Sequence, residues 1–119
     1  MNVPPQLQQQ MFELSTQLSE TVNQLKVTEA NAFALENERR RQELTLNEIS
    51  GQNEEALLYK PVGKLYIRKS KNEMVVDLTN KIRRTEVELE EARRKLETLS
   101  KKRDEVSTNI QELVASVSS

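Results

Sequence analysis

Four basic runs have the residue type and spacing for ionic chemistry: Arg39-Arg40-Arg41, Arg83-Arg84, Arg93-Arg94-Lys95 and Lys101-Lys102-Arg103. Such runs neutralise phosphates when they line one face of an arm. Here they alternate with Glu86, Glu88, Glu90, Glu91 and Asp104, and 18 Lys+Arg against 19 Asp+Glu leave a net charge of −1. Mixed signs at helical spacing describe a solvated face, so no nucleic-acid partner is expected. Covalent and acid–base chemistry has less to work with. The 119 residues include no His and no Cys. That removes imidazole bases, thiolate nucleophiles, disulfides and Cys/His zinc sites. There is no G-x-x-x-x-G-K-[ST] loop. No nucleotide, metal or other cofactor is expected, and the chain reads as a non-enzyme.

Apolar contact remains, and it is sparse. Hydrophobic residues make up 35% of the chain and aromatics 3%, too few large side chains for a conventional compact core. A composition rich in Leu, Glu, Lys, Arg and Gln points to long helices that each bury a narrow stripe. No apolar run reaches the 18 or so residues a membrane span needs, and the start, Met-Asn-Val-Pro-Pro, lacks the pattern of a signal peptide. A protein of the cytoplasm, with no membrane partner, is expected.

Gly and Pro mark the elements. Pro4 and Pro5 stand at the start and Gly51, Pro61 and Gly63 in the middle, with none elsewhere. The two uninterrupted segments carry the same pattern. In the first, Leu7, Met11, Leu14, Leu18, Thr21, Leu25, Thr28, Ala32, Leu35, Arg39, Gln42, Leu46 and Ile49 follow alternating steps of four and three. In the second, Val75, Leu78, Ile82, Thr85, Leu89, Ala92, Leu96, Leu99, Arg103, Val106, Ile110, Leu113 and Val117 do the same. A heptad stripe held this long predicts a coiled coil, because a 3.5-residue repeat keeps a narrow seam on its partner. Roughly 45 helical residues would extend about 65 Å. Equal lengths about a central break predict an antiparallel hairpin. Pairing residues whose numbers sum to about 124 sets Met11 against Leu113, Leu18 against Val106, Leu25 against Leu99 and Ile49 against Val75, each an a–d pair as antiparallel packing requires. The same register sets Arg39 against Thr85 and Arg103 against Thr21. Both arginines then lie in the seam facing small hydroxyls, where they either fix register or extend their heads to solvent. Glu36, Glu38, Glu86 and Glu88 would flank Arg39.

Residues 50–74 are too many for a simple helix–helix turn. Two β-prone runs, Ala56–Lys60 and Lys64–Lys69, separated by Pro61-Val62-Gly63, predict a β-hairpin. Ser70-Lys71-Asn72-Glu73 is a capping box opening the second helix. The expected organisation is one domain: a first helix over 6–50, a hairpin region over 51–70 and a second helix over 71–118. A lone hairpin is marginal in water and has two open edges. Leu57, Leu58, Tyr59, Val62, Gly63, Leu65, Tyr66 and Ile67 are therefore expected to join hairpins of other chains in a shared sheet or barrel.

Leu58-Tyr59-Lys60-Pro61-Val62-Gly63-Lys64-Leu65-Tyr66-Ile67 followed by Ser70-Lys71, midway between equal helices, resembles a prefoldin subunit of the β class. The opening Pro4-Pro5-Gln6-Leu7-Gln8-Gln9-Gln10 resembles β-class starts. Among eukaryotic subunits the central block is most similar to subunit 1; an archaeal β subunit, or subunit 6 or 2, is the alternative. The resemblance implies a hetero-hexamer of α- and β-class subunits, with a β-barrel body and coiled-coil tentacles. It implies that tentacle tips hold unfolded client proteins, actin- or tubulin-like in eukaryotes, without ATP. The clients would pass to a group II chaperonin. The tips correspond here to Leu7, Met11, Phe12, Leu14, Ile110, Leu113, Val114 and Val117. Phe12 and Val114 lie off the seam, so client contact is the natural use of Phe12, whereas Phe33 and Val22, also off the seam, have no assigned role. A coiled-coil scaffold or tether is the alternative reading, and a nucleic-acid-binding helical arm a third.

If Arg39 merely extends its head out of the seam, Arg39→Leu will leave the melting temperature nearly unchanged. A large loss of helicity in circular dichroism would instead make the arginine structurally essential.

Overall fold

The computed structural model describes residues 3–118. The order is α1 (Pro5–Ser50), β1 (Leu58–Val62), β2 (Leu65–Lys69) and α2 (Lys71–Ser118). This is the expected class, mostly α with a central antiparallel hairpin. Pro5 occupies the first helical position of α1, where its fixed φ fits and its missing N–H is not needed. The Leu7 and Gln8 amides donate to the Pro4 carbonyl at 3.0 and 3.1 Å. At the start of α2, the Ser70 hydroxyl accepts from the Glu73 amide at 3.1 Å, which is the serine half of the expected capping box.

The chain forms two compact units, one holding residues up to Ala32 and from Glu91 onward, the other Phe33–Glu90. Each combines part of α1 with part of α2. In the first unit the buried side chains are Thr21, Leu25, Thr28, Ala92, Leu99 and Val106. In the second they are Ile49, Ile82, Thr85 and Leu89. All of these lie on the two heptad stripes, and every other stripe residue but one is half-buried. The exception is Arg103.

Of the two courses open to a stripe arginine, Arg103 takes the second and extends its head to solvent. It is exposed, and its Nε donates to Asp104 Oδ1 at 3.1 Å. Its long stem lets the charge stay hydrated rather than pay for desolvation. Thr21, by contrast, is 1% exposed, and its hydroxyl donates to the Gln17 carbonyl at 2.8 Å. That layer closes without a buried charge. Arg39 behaves differently and stays half-buried. It bonds Glu36 and lies 3.6 Å from Glu43, both on its own helix. The hydrogen bond and charge of Glu36, with help from Glu43 and Glu86, raise the guanidinium pKa above its ordinary value. Glu38 pairs with Arg41 instead, and of the four carboxylates expected to flank Arg39, Glu36 and Glu86 act on it. Arg39 Nε and Gln42 Oε1 are buried without a hydrogen-bond partner, which marks this as an imperfectly satisfied polar layer.

The hairpin is also shifted from the expected strands. Pro61 and Val62 belong to β1, opposite Tyr66 and Leu65. The loop is therefore two residues, Gly63-Lys64. Pro61 is tolerated because a two-stranded sheet is all edge, and a missing N–H can face outward.

The register predicts a crosslink in this cysteine-free chain. Leu25→Cys with Leu99→Cys should oxidise to an intramolecular disulfide, read as a mass loss of two hydrogens. Leu25→Cys with Val106→Cys should not, since seven residues move the partner about 10 Å along the helix, beyond the reach of a disulfide. Equal oxidation of the two pairs would refute the register.

Candidate functional site

The residues singled out for binding fall into two groups, one in each unit. In the second unit, Gly63 sits at φ +60 at the first position of the two-residue turn. No other described residue but glycine has positive φ, which is the pattern of a type II′ hairpin turn. Direct pairing of Val62 with Leu65, Lys60 with Ile67 and Leu58 with Lys69 puts these six on one face. Tyr59, Pro61, Tyr66 and Arg68 share the other. The second face is exposed throughout, and the first is half-buried only at Leu58, Lys60 and Lys69. Leu65 is 73% exposed and Tyr66 72%, and Leu57, Tyr59, Val62 and Ile67 are also exposed. Of the expected assembly residues Leu58 is half-buried.

The hairpin base is held by cations. Lys71 Nζ donates to the carbonyls of Ser50 and Gln52 at 3.1 and 2.9 Å. It thereby satisfies the end of α1, where a positive charge also suits the helix dipole. Lys69 Nζ lies 3.5 Å from Asp77 and 3.8 Å from Glu73. Sequence reasoning missed these clamps, because a lysine next to a capping box looks like any solvated lysine.

In the first unit the ends of the helices form two open grooves. One, of about 350 Å³, is lined by Leu7, Met11, Leu113, Val114 and Val117, together with Val3. Five of the eight residues assigned to the tip thus converge. Leu14 and Leu113 line the second groove, of about 480 Å³, with Gln10, Gln17, Asn109 and Glu112. Phe12, 72% exposed, and half-buried Ile110 line neither. The polar lining was missed. A signal for it existed: Gln10, Gln17 and Asn109 each immediately precede a stripe residue, Met11, Leu18 or Ile110, at the flanking g positions.

Among the described residues no three His, Cys, Asp or Glu side chains cluster to hold a metal, and no helix is long and apolar enough to cross a membrane. Two long helices of 46 and 48 residues are joined by a single β-hairpin that carries exposed apolar groups. The family model described as "Prefoldin subunit" matches residues 6–116, and the chain belongs to that family. The prefoldin β subunit of Thermococcus kodakarensis is 32% identical, over 92% of this chain and 91% of the relative. That of Methanococcoides burtonii is 26% identical, over 84% and 82%. The crystal structure of the prefoldin β subunit from Thermococcus strain KS-1 superposes with a TM-score of 0.82 at 30% identity, covering 93% of this chain and 94% of that one. The single hairpin and these relatives place the chain in the β class.

A side chain at Gly63 would meet nothing within 4 Å, so substitution there isolates the backbone cost. Gly63→Val should cost the hairpin about 1–2 kcal/mol and abolish hydrogen-exchange protection of the β2 amides, with helical ellipticity unchanged. Undiminished protection would show that the positive φ is not required.

Proposed function

We propose that this chain is the β-class subunit of a hetero-hexameric, ATP-independent co-chaperone of the cytosol. In this reading it holds unfolded proteins at its helix ends and passes them to a group II chaperonin. The observation that carries the reading is the pair of uncovered apolar surfaces on a chain of the prefoldin family. Their uses differ. The hairpin surface is ordered and two-faced, suited to permanent burial by other subunits' hairpins. Each large side chain it buries would contribute about 1.5–3 kcal/mol, which offsets the weakness of an isolated hairpin. The surface at the helix ends is a shallow groove with adaptable Met11 and Leu side chains, suited to weak, unspecific grip. Several weak grips on one assembly become useful through effective concentration. Actin- or tubulin-like clients fit the family resemblance, and hand-off by competition for the same apolar segments needs no nucleotide and no enzyme.

The test uses the complex assembled with α-class subunits, without ATP. Wild type should suppress light scattering when a chemically denatured protein is diluted into it. Phe12→Ser with Val114→Ser should lose most of that suppression. Both positions are exposed, so stability should change within about 0.5 kcal/mol and the native mass of the complex should stay the same. Equal suppression by both complexes would count against the helix ends as the grip.

A further inference from the structure

The two grooves of the first unit differ in chemistry and share Leu113. One is apolar. The other adds the carboxylates of Glu13 and Glu112 and the side-chain amides of Gln10, Gln17 and Asn109. Each amide offers both a donor and an acceptor, which matches the unpaired backbone of an extended peptide. The charge around the grooves has one sign. Residues 3–25 and 106–118 contain Glu13, Glu20 and Glu112 and no Lys or Arg. Glu13 accepts a 3.5 Å bond from the Gln9 amide, a neutral donor that leaves its charge uncompensated. The hairpin segment is the reverse: residues 56–71 contain Lys60, Lys64, Arg68, Lys69 and Lys71 and no acidic residue. A chain with net charge −1 has therefore separated its charges along its length.

We propose that the paired grooves select extended, unfolded segments in which apolar residues are interspersed with Lys or Arg. The apolar side chains would enter the groove of Leu7, Met11 and Val117, and the cations would face Glu13 and Glu112. Acidic segments of equal hydrophobicity are repelled. This deepens the client-holding reading and rests on it. An exposed charge pair shifts an equilibrium by roughly twofold to fivefold, so two carboxylates produce discrimination rather than tight binding. Weak selectivity of this kind also favours release.

The experiment measures fluorescence anisotropy with the full chain. The probes are three labelled peptides of about 12 residues, roughly 40 Å when extended. They carry the same leucines and differ in having Lys, Ser or Glu between them. The Lys peptide should bind about tenfold tighter than the Glu peptide, with the Ser peptide between them. The gap should fall to about twofold in Glu13→Gln with Glu112→Gln, and likewise on raising salt to about 1 M, where screening is nearly complete. The Ser peptide should be unaffected by the substitutions. Equal affinity of wild type for all three overturns the selectivity and leaves the apolar grip standing, as does a gap that persists in the double variant. Failure of all three to bind overturns both.

Discussion

The structure depends on a shared seam. Each helix has an apolar stripe only two heptad positions wide, and neither can remove that stripe from water alone. Isolated helices gain little from propensity. Most of their stability must come from setting one stripe against the other. That need explains why the buried residues, Leu25, Leu99, Val106, Ile82 and Leu89 among them, all lie on the stripes. It also explains why the chain can manage with so few aromatics. A seam takes one layer of medium-sized side chains, and Leu, Ile and Val at a and d fill it.

The seam tolerates polar layers according to how each polar group finds a partner. Thr21 is buried deepest because its hydroxyl returns to its own helix at Gln17. Arg103 leaves the seam and keeps its charge in water beside Asp104. Arg39 stays half-buried because Glu36 and Glu43, one turn on either side, compensate it within the same helix. The two arginines follow one rule: a charge enters a two-helix seam when its own helix neutralises it.

What the seam cannot cover stays exposed. A two-helix layer has no third element to pack on the hairpin, so Leu65, Tyr66, Ile67 and their neighbours remain exposed. At the helix ends no further layer closes over Leu7, Met11 and Val117, and grooves result. The same shortage of core thus produces two surfaces. One is held by its hydrogen-bonded ladder and the Lys71 clamp. The other is open and adaptable, and suits transient grip.

Much of this was legible in the residues. The 4-3 spacing from Leu7 to Ile49 and from Val75 to Val117 determined the helices and which face of each is buried. The Pro/Gly cluster and the Ser70–Glu73 box determined where the chain turns. The family was legible from the block Leu58–Ile67, since few sequences place a hairpin midway between equal helices. Other features were decided by tertiary structure. Pro61 reads as a loop residue, yet pairs in β1, because edge strands do not need its N–H. Arg39 and Arg103 occupy equivalent stripe positions, yet one stays in the seam and the other leaves, because carboxylates one turn away are available only to the first. Gln17, Asn109 and Glu112 were not singled out in the sequence, and only the approach of the second helix makes them, with Gln10, the wall of a groove. Periodicity along a chain records which residues face the partner helix. What stands at the margin of that contact depends on where the partner's backbone lies, and that is a property of the folded pair.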